Sequence, residues 1–216
     1  MKLIQFKRNV KCGSIRHRSD IISIIINVCE MIVSNQFSNQ IYIDDLGKKQ
    51  YPFILIDSMS RLFMFEDNKF FSIAFPFQIN VEKNKVSFLS IPITLGNLSI
   101  IASVFSTFDE RKSIVELIES IFDNEEYNAL LKDEQQTIEE LIEFLLSYEV
   151  GYIRYDYDPD NYEKYSALGM SNVHPLNHLD INYTSNATYK LGLNNSINIR
   201  EFLDCLNPAT DCWFVK

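Results

Sequence analysis

Two hydrophobic rhythms alternate along the chain. Ser19-Asp20 offers a helix cap, and the apolar run IISIIINVCEMIV follows it over residues 21–33. With Asn27 and Glu30 on one side, this run suits a helix better than an overlong strand. From Gln40 to Phe108 the rhythm shortens. Phe53–Asp57, Phe70–Val81, Lys85–Pro92 and Asn97–Phe105 are rich in Ile, Phe and Val and predict an antiparallel meander. Turn-like groups bound them: Asp44-Asp45-Leu46-Gly47, Glu66-Asp67-Asn68, Glu82-Lys83-Asn84 and Gly96-Asn97. Pro76 and Pro92 confine their positions to strand edges, bulges or ends.

Residues 109–149 return to the helical period and predict two helices, with Asp109 capping the first. Ile114, Val115, Leu117, Ile118, Ile121 and Phe122 form the apolar stripe of the first helix. Ile138, Leu141, Ile142, Leu145 and Leu146 form that of the second. Beyond Gly151 the period is two again. Tyr152, Arg154 and Asp156 share one face of a strand, and Ile153, Tyr155 and Tyr157 the other. A loop over 158–173 precedes strands at His178–Tyr183 and Thr188–Leu193, a short helix at Asn198–Leu206 and a closing strand at Trp213–Val215. Lys2–Phe6 suits a short strand. The sum is one α+β domain over 1–216: an antiparallel sheet, an N-terminal helix, a central acidic helical pair inserted at 109–149 and a strand-rich C-terminal segment.

Composition adds a core and a compartment. Hydrophobic residues make up 46% of the chain, enough for a substantial core. The aromatics Phe63, Phe65, Phe70, Phe71, Phe75 and Phe77 read as part of it. No apolar run approaches the length of a membrane helix, and no secretory signal follows the basic start, so no membrane partner is expected. Cys12, Cys29, Cys205 and Cys212 form no CxxC pair, which argues against a zinc site and for a reduced, cytoplasmic protein. Charge is segregated. Residues 109–149 carry thirteen acidic against three basic side chains, a net of −10 against −9 for the whole chain, so the remainder is close to neutral. The first 18 residues form a basic arm with Lys2, Lys7, Arg8, Lys11, Arg16 and Arg18. That arm suits salt-dependent nucleic-acid contact, whereas the acidic helices suit solvent or a basic partner protein.

Candidate chemistry gathers near the C-terminus. Two of the three histidines, His174 and His178, stand four apart, and His178 precedes Asp180 by two. On a strand, His178 and Asp180 face the same way, as do Arg154 and Asp156. Pairing of these strands would join the four, with Lys190 added from the next. Three functions fit such a group. His178 can act as general acid or base oriented by a carboxylate. Arg154 and Lys190 can hold phosphate. Two His and an Asp can take a divalent ion, although Pro175 argues against the helix that would align both rings. A purely structural network of buried polar pairs fits as well. In Asp156-Tyr-Asp158-Pro-Asp160 an Asp-Pro turn explains the alternating acids better than a calcium loop, which lacks its glycine and distal glutamate. Glycine-rich phosphate loops and the common hydrolase, metalloprotease and kinase motifs are missing, so no cofactor is expected and no metal site is assigned.

Residues 150–206 resemble an uncharacterised bacterial family. The resemblance is carried by Arg154-Tyr155-Asp156, His174-Pro175, His178-Leu179-Asp180, Tyr189-Lys190-Leu191-Gly192-Leu193 and Phe202. Some members of that family lie near defence or toxin–antitoxin genes. Residues 150–193 are also similar to TumE-like toxins in an R-x-D strand and a later histidine strand, matched by Arg154, Asp156 and His178. Together with the missing cofactor motifs and the segregated charge, the first resemblance makes the leading expectation a component of a bacterial defence or toxin–antitoxin-like system that acts by binding a partner protein encoded nearby, with RNA cleavage as the alternative. The second implies metal-independent RNA cleavage by the His/Asp/Arg cluster.

Overall fold

The computed structural model describes residues 2–7, 15, 17–38, 53–56, 59–66, 68–106, 113–181 and 189–211, and the protein is α+β, as its two hydrophobic rhythms predict. The chain divides into two compact units. Unit 1 takes Met1–Asn9, Ser38–Phe75 and Val150–Lys216; unit 2 takes Val10–Phe37 and Pro76–Glu149.

Unit 1 is built on an antiparallel sheet. Its strands are β1 (Lys2–Phe6), β2 (Phe37–Ser38, where the chain passes between units), β3 (Phe53–Ile56), β4 (Arg61–Glu66) and β5 (Lys69–Ala74). Unit 2 supplies a separate three-stranded sheet of β6 (Gln78–Asn80), β7 (Lys85–Phe88) and β8 (Ile91–Pro92). After it, unit 1 resumes with β9 (Ile153–Tyr157), β10 (Asn177–Ile181) and β11 (Tyr189–Leu193). The large sheet runs β11-β10-β9-β5-β4-β3-β1-β2. The C-terminal strands therefore join β5, far upstream in the chain, with Phe71 opposite Arg154 and Lys69 opposite Asp156.

Alternation along the strands sends Phe63, Phe65, Ile153, Tyr155 and Leu179 to one face, where Phe202 and Leu203 of a C-terminal helix cover them. This helix, Ile199–Leu206, starts at a capping box in which Asn198 accepts from the Glu201 amide and Glu201 accepts from the Asn198 amide. The opposite face of β9, β10 and β11 carries the polar residues. At the entry to β9, Gly151 takes φ +53, and its carbonyl accepts from half-buried Arg61, which also donates to Ser72 at 2.9 Å.

Unit 2 holds helices α1 (Arg18–Val33), α2 (Leu95–Ser106), α3 (Ile114–Phe122), α4 (Glu125–Asn128) and α5 (Lys132–Ser147). Helix α1 is apolar nearly all round and is accordingly buried; it packs against α2 and β7. Arg18 donates to the Tyr148 carbonyl at 3.0 Å and so satisfies an end group of α5.

Several expectations are corrected. Asn97–Phe105 is part of helix α2, not a strand. Thr94 and Asn97 exchange hydrogen bonds that start the helix, and the buried residues Leu98, Ile101 and Phe105 follow a helical period despite their β-branched neighbours. Strand β4 lacks alternation because both its faces are covered, so its pattern hid it. Phe70–Val81 splits at Pro76 into β5 and β6, and Pro92 ends the edge strand β8. Residues 109–149 hold three helices among the described residues, α3 being capped by Ser113. The turn at 44–47, the Asp109 cap and the strand at 213–215 lie outside the described residues.

Candidate functional site

Strand register assembles the cluster. Asp156 lies opposite His178, Arg154 opposite Asp180, and Asp180 opposite Lys190. All five side chains therefore project from the face of unit 1 opposite the Phe202 core. The expected loop at 158–173 instead begins with the sixth helix in chain order, α6 (Pro159–Ser166), which belongs to unit 1 and makes the helix at Ile199–Leu206 α7. Asp158 caps α6 by accepting from the Asn161 amide, and Pro159 occupies the first turn, where its missing N–H costs nothing. The Asp158 carboxylate is thus engaged as a cap.

Arg154 is the hub. Its Nε lies 2.8 Å from Asp156 Oδ2, and its Nη2 lies 2.6 Å from Oδ2 of both Asp156 and Asp180. Burial pushes the Asp156 carboxyl up. The His178 ring, once protonated and donating to it, and the charge and hydrogen bond of the Arg154 guanidinium outweigh that and hold it below its ordinary value. Lys190 Nζ lies 3.0 Å from Asp180 Oδ1 and 2.8 Å from His178 Nε2.

These partners fix the tautomer of His178. The Pro175 carbonyl, 2.9 Å from Nδ1, can only accept, so Nδ1 carries the proton. The Lys190 ammonium can only donate, so Nε2 is a bare acceptor. Nε2 also lies 3.5 Å from Asp156 Oδ2 and 3.9 Å from Asp180 Oδ1. Gly192 stands opposite His178 on β11 and makes room for Pro175: a Cβ there would meet Pro175 Cγ at 3.0 Å.

The charges are layered. The carboxylates of Asp156 and Asp180 are 4% and 2% exposed, whereas the Arg154 and Lys190 side chains are 21% and 34% exposed. The cluster is balanced in formal charge, yet it turns its cations outward. Asp156 Oδ1 is buried with no hydrogen-bond partner among the described residues.

His174 borders this group without joining its ion pairs. Its ring stacks on Tyr165 of α6 at 5.6 Å and meets the His178 ring edge-on at 4.9 Å; its Nε2 is 3.6 Å from Asp158 Oδ2. Burial lowers the His174 imidazole below its ordinary 6.5, and Lys190 and His178 lower it further against the pull of Asp158. Removing the ammonium in Lys190→Met should therefore raise the His174 midpoint, read as the proton shift of the ring in an NMR titration. An unchanged midpoint would place Lys190 too far away to matter. The lowered value also means that the unfolded chain protonates first as pH falls. The stability His174 lends is present above its ordinary value and is lost as pH drops through the folded one.

One ligand atom each from Asp156, His178 and Asp180 lies within 4.8 Å of the others, the spacing of a divalent-ion site. His174 is not part of that group. Lys190 Nζ stands directly against two of the three residues, so an ion entering there must displace the ammonium.

Sequence pattern placed the five central residues together, and pairing does so here. It did not single out Tyr152, which shares the face of Arg154 and whose phenol burial pushes up to about 12. Nor did it find Tyr165, the Pro175 carbonyl or Gly192. The Asp158-Pro159 start of α6 was the available signal for Tyr165; nothing local marks the carbonyl. No protein-family model matches the chain, and no curated protein or solved structure matches it. Among the described residues, no helix is long and apolar enough to cross a membrane.

Proposed function

We propose that unit 1 cleaves RNA without a metal, within a bacterial defence or toxin–antitoxin-like system of the cytoplasm. The observation that carries this reading is the bare Nε2 of His178, held in one tautomer and flanked by two outward-facing cations over two buried carboxylates. A phosphodiester attracts Lys190 and Arg154 to its oxygens. Lys190 swings from Nε2 on its flexible stem and frees the imidazole. Nε2 then takes the proton of the 2′-hydroxyl, the 2′-oxygen bonds to phosphorus, and the bond from phosphorus to the 5′-oxygen breaks. That oxygen takes a proton from water, and the hydroxide left behind takes the proton back from the imidazolium, which restores the base. The imidazolium formed points its new N–H at Asp156, with Asp180 close by, which stabilises it. The similarity of residues 150–193 to TumE-like toxins supports the same chemistry.

The test is an oligodeoxynucleotide carrying a single ribonucleotide, incubated with the protein and a chelator. Cleavage after the ribose alone is expected. Cleavage at deoxyribose, or only when divalent ions are restored, would sink the metal-independent mechanism.

A second reading is action through a partner protein. One observation favours it: the apolar residues Val115, Ile118 and Phe122 of α3 stay exposed.

A further inference from the structure

Six apolar residues of α3 read as a single stripe in the sequence. In the fold, Leu117 and Ile121 are buried, while Val115, Ile118 and Phe122 are 61%, 43% and 55% exposed. Positions 115, 118 and 122 lie along one side of a helix, so the exposed residues form a continuous second stripe. Glu116, Glu119 and Asp123, each one position further on, form an exposed acidic stripe beside it. Asp123 stands at the C-terminal end of α3, where a carboxylate opposes the helix dipole, and no basic residue of the last turn offsets it. That carboxylate does not help α3 fold, and the stripe stays largely exposed although the Phe122 ring meets that of Tyr127 in α4 edge-on at 6.1 Å.

We infer that this double stripe is the docking surface for an amphipathic helix of a partner protein, apolar on one side and flanked by Lys or Arg. Charge selects this occupant. A second copy of the chain laid on the stripe would bring two rows of carboxylates together, and an anionic lipid surface would meet the same repulsion. A basic helix neutralises the row while its apolar side covers Val115, Ile118 and Phe122. The inference rests on the second reading above and is independent of RNA cleavage.

The test titrates the full chain with two helical peptides of equal length and identical apolar faces, one built from Leu and Lys and one from Leu and Glu. The Lys peptide should bind, weaken with added salt, and lose about tenfold or more in affinity to the triple variant Val115→Ala, Ile118→Ala, Phe122→Ala, whose acidic row is intact. Alanine suits an exposed helix position, and circular dichroism checks that the fold is kept. Equal binding of both peptides, no binding of the Lys peptide, or undiminished binding by the triple variant would overturn the assignment. Self-association of the wild-type chain that the three substitutions abolish would give the stripe to a second copy instead. A protein encoded next to this chain that co-purifies equally with wild type and triple variant would keep the second reading and still refute the α3 surface.

Discussion

Replacing Arg154 by methionine should destabilise unit 1 by about 3 kcal/mol, the low end of what removing one partner of a buried ion pair costs. Methionine keeps much of the aliphatic bulk but leaves the Oδ2 atoms of both Asp156 and Asp180 without their guanidinium. The low end applies because the Arg154 side chain is partly exposed and water can reach the gap. Against a typical total of about 5–15 kcal/mol, such a loss shifts a denaturant midpoint clearly. Adding Asp156→Asn and Asp180→Asn to the same chain should restore much of it, because a neutral amide tolerates burial better than an unpaired carboxylate. A loss below about 0.5 kcal/mol, the scatter of ordinary surface changes, would show that the carboxylates do not depend on Arg154.

The same pair sets an acid response. The Asp156 carboxyl is held below its ordinary value, so its contribution is complete above that value, about pH 4, and is lost as pH falls through the lowered one. Without Arg154 one of the causes that lower it is gone, so the Arg154→Met variant, weaker at neutral pH, should lose less of its stability as pH falls below about 4.

Replacing His178 by glutamine should reduce RNA cleavage by about 10²–10⁴-fold, the usual worth of a positioned acid–base group. The glutamine amide falls near the place of Nε2, where its oxygen can still accept from Lys190; it gives up the hydrogen bond to the Pro175 carbonyl and cannot take a proton near neutral pH. Unfolding should change far less, by about 1 kcal/mol, the worth of one hydrogen bond. Initial rates and a denaturant curve on the same preparation separate the two effects. If cleavage falls only as far as the folded fraction does, His178 is a structural member of the network.

Much of this site was legible because strand alternation is strict. Arg154 and Asp156 share a face by their spacing alone, as do His178 and Asp180, and strands that follow one another along a chain most often pair, which makes β9 and β10 neighbours. What was not legible depends on distant pairing or on the backbone. The strand order places β9 beside β5, a partner that no local pattern names. The tautomer of His178 is set by a main-chain carbonyl, and the space for that carbonyl's residue by a glycine on another strand. The strand expected at 97–105 failed for a local reason: β-branched content masked the helical spacing of Leu98, Ile101 and Phe105. The helix expected at the start of the acidic region is present as α3. Periodicity identified all six apolar positions but carried no information on which of them a neighbouring element would cover.

The most direct measurement is mass spectrometry of the ends produced when the protein is incubated with RNA and a chelator. Attack by the 2′-oxygen, with His178 as base, leaves a 2′,3′-cyclic phosphate on one fragment and a 5′-hydroxyl on the other. RNA left intact, or fragments ending in a 3′-hydroxyl and a 5′-phosphate, would contradict the account.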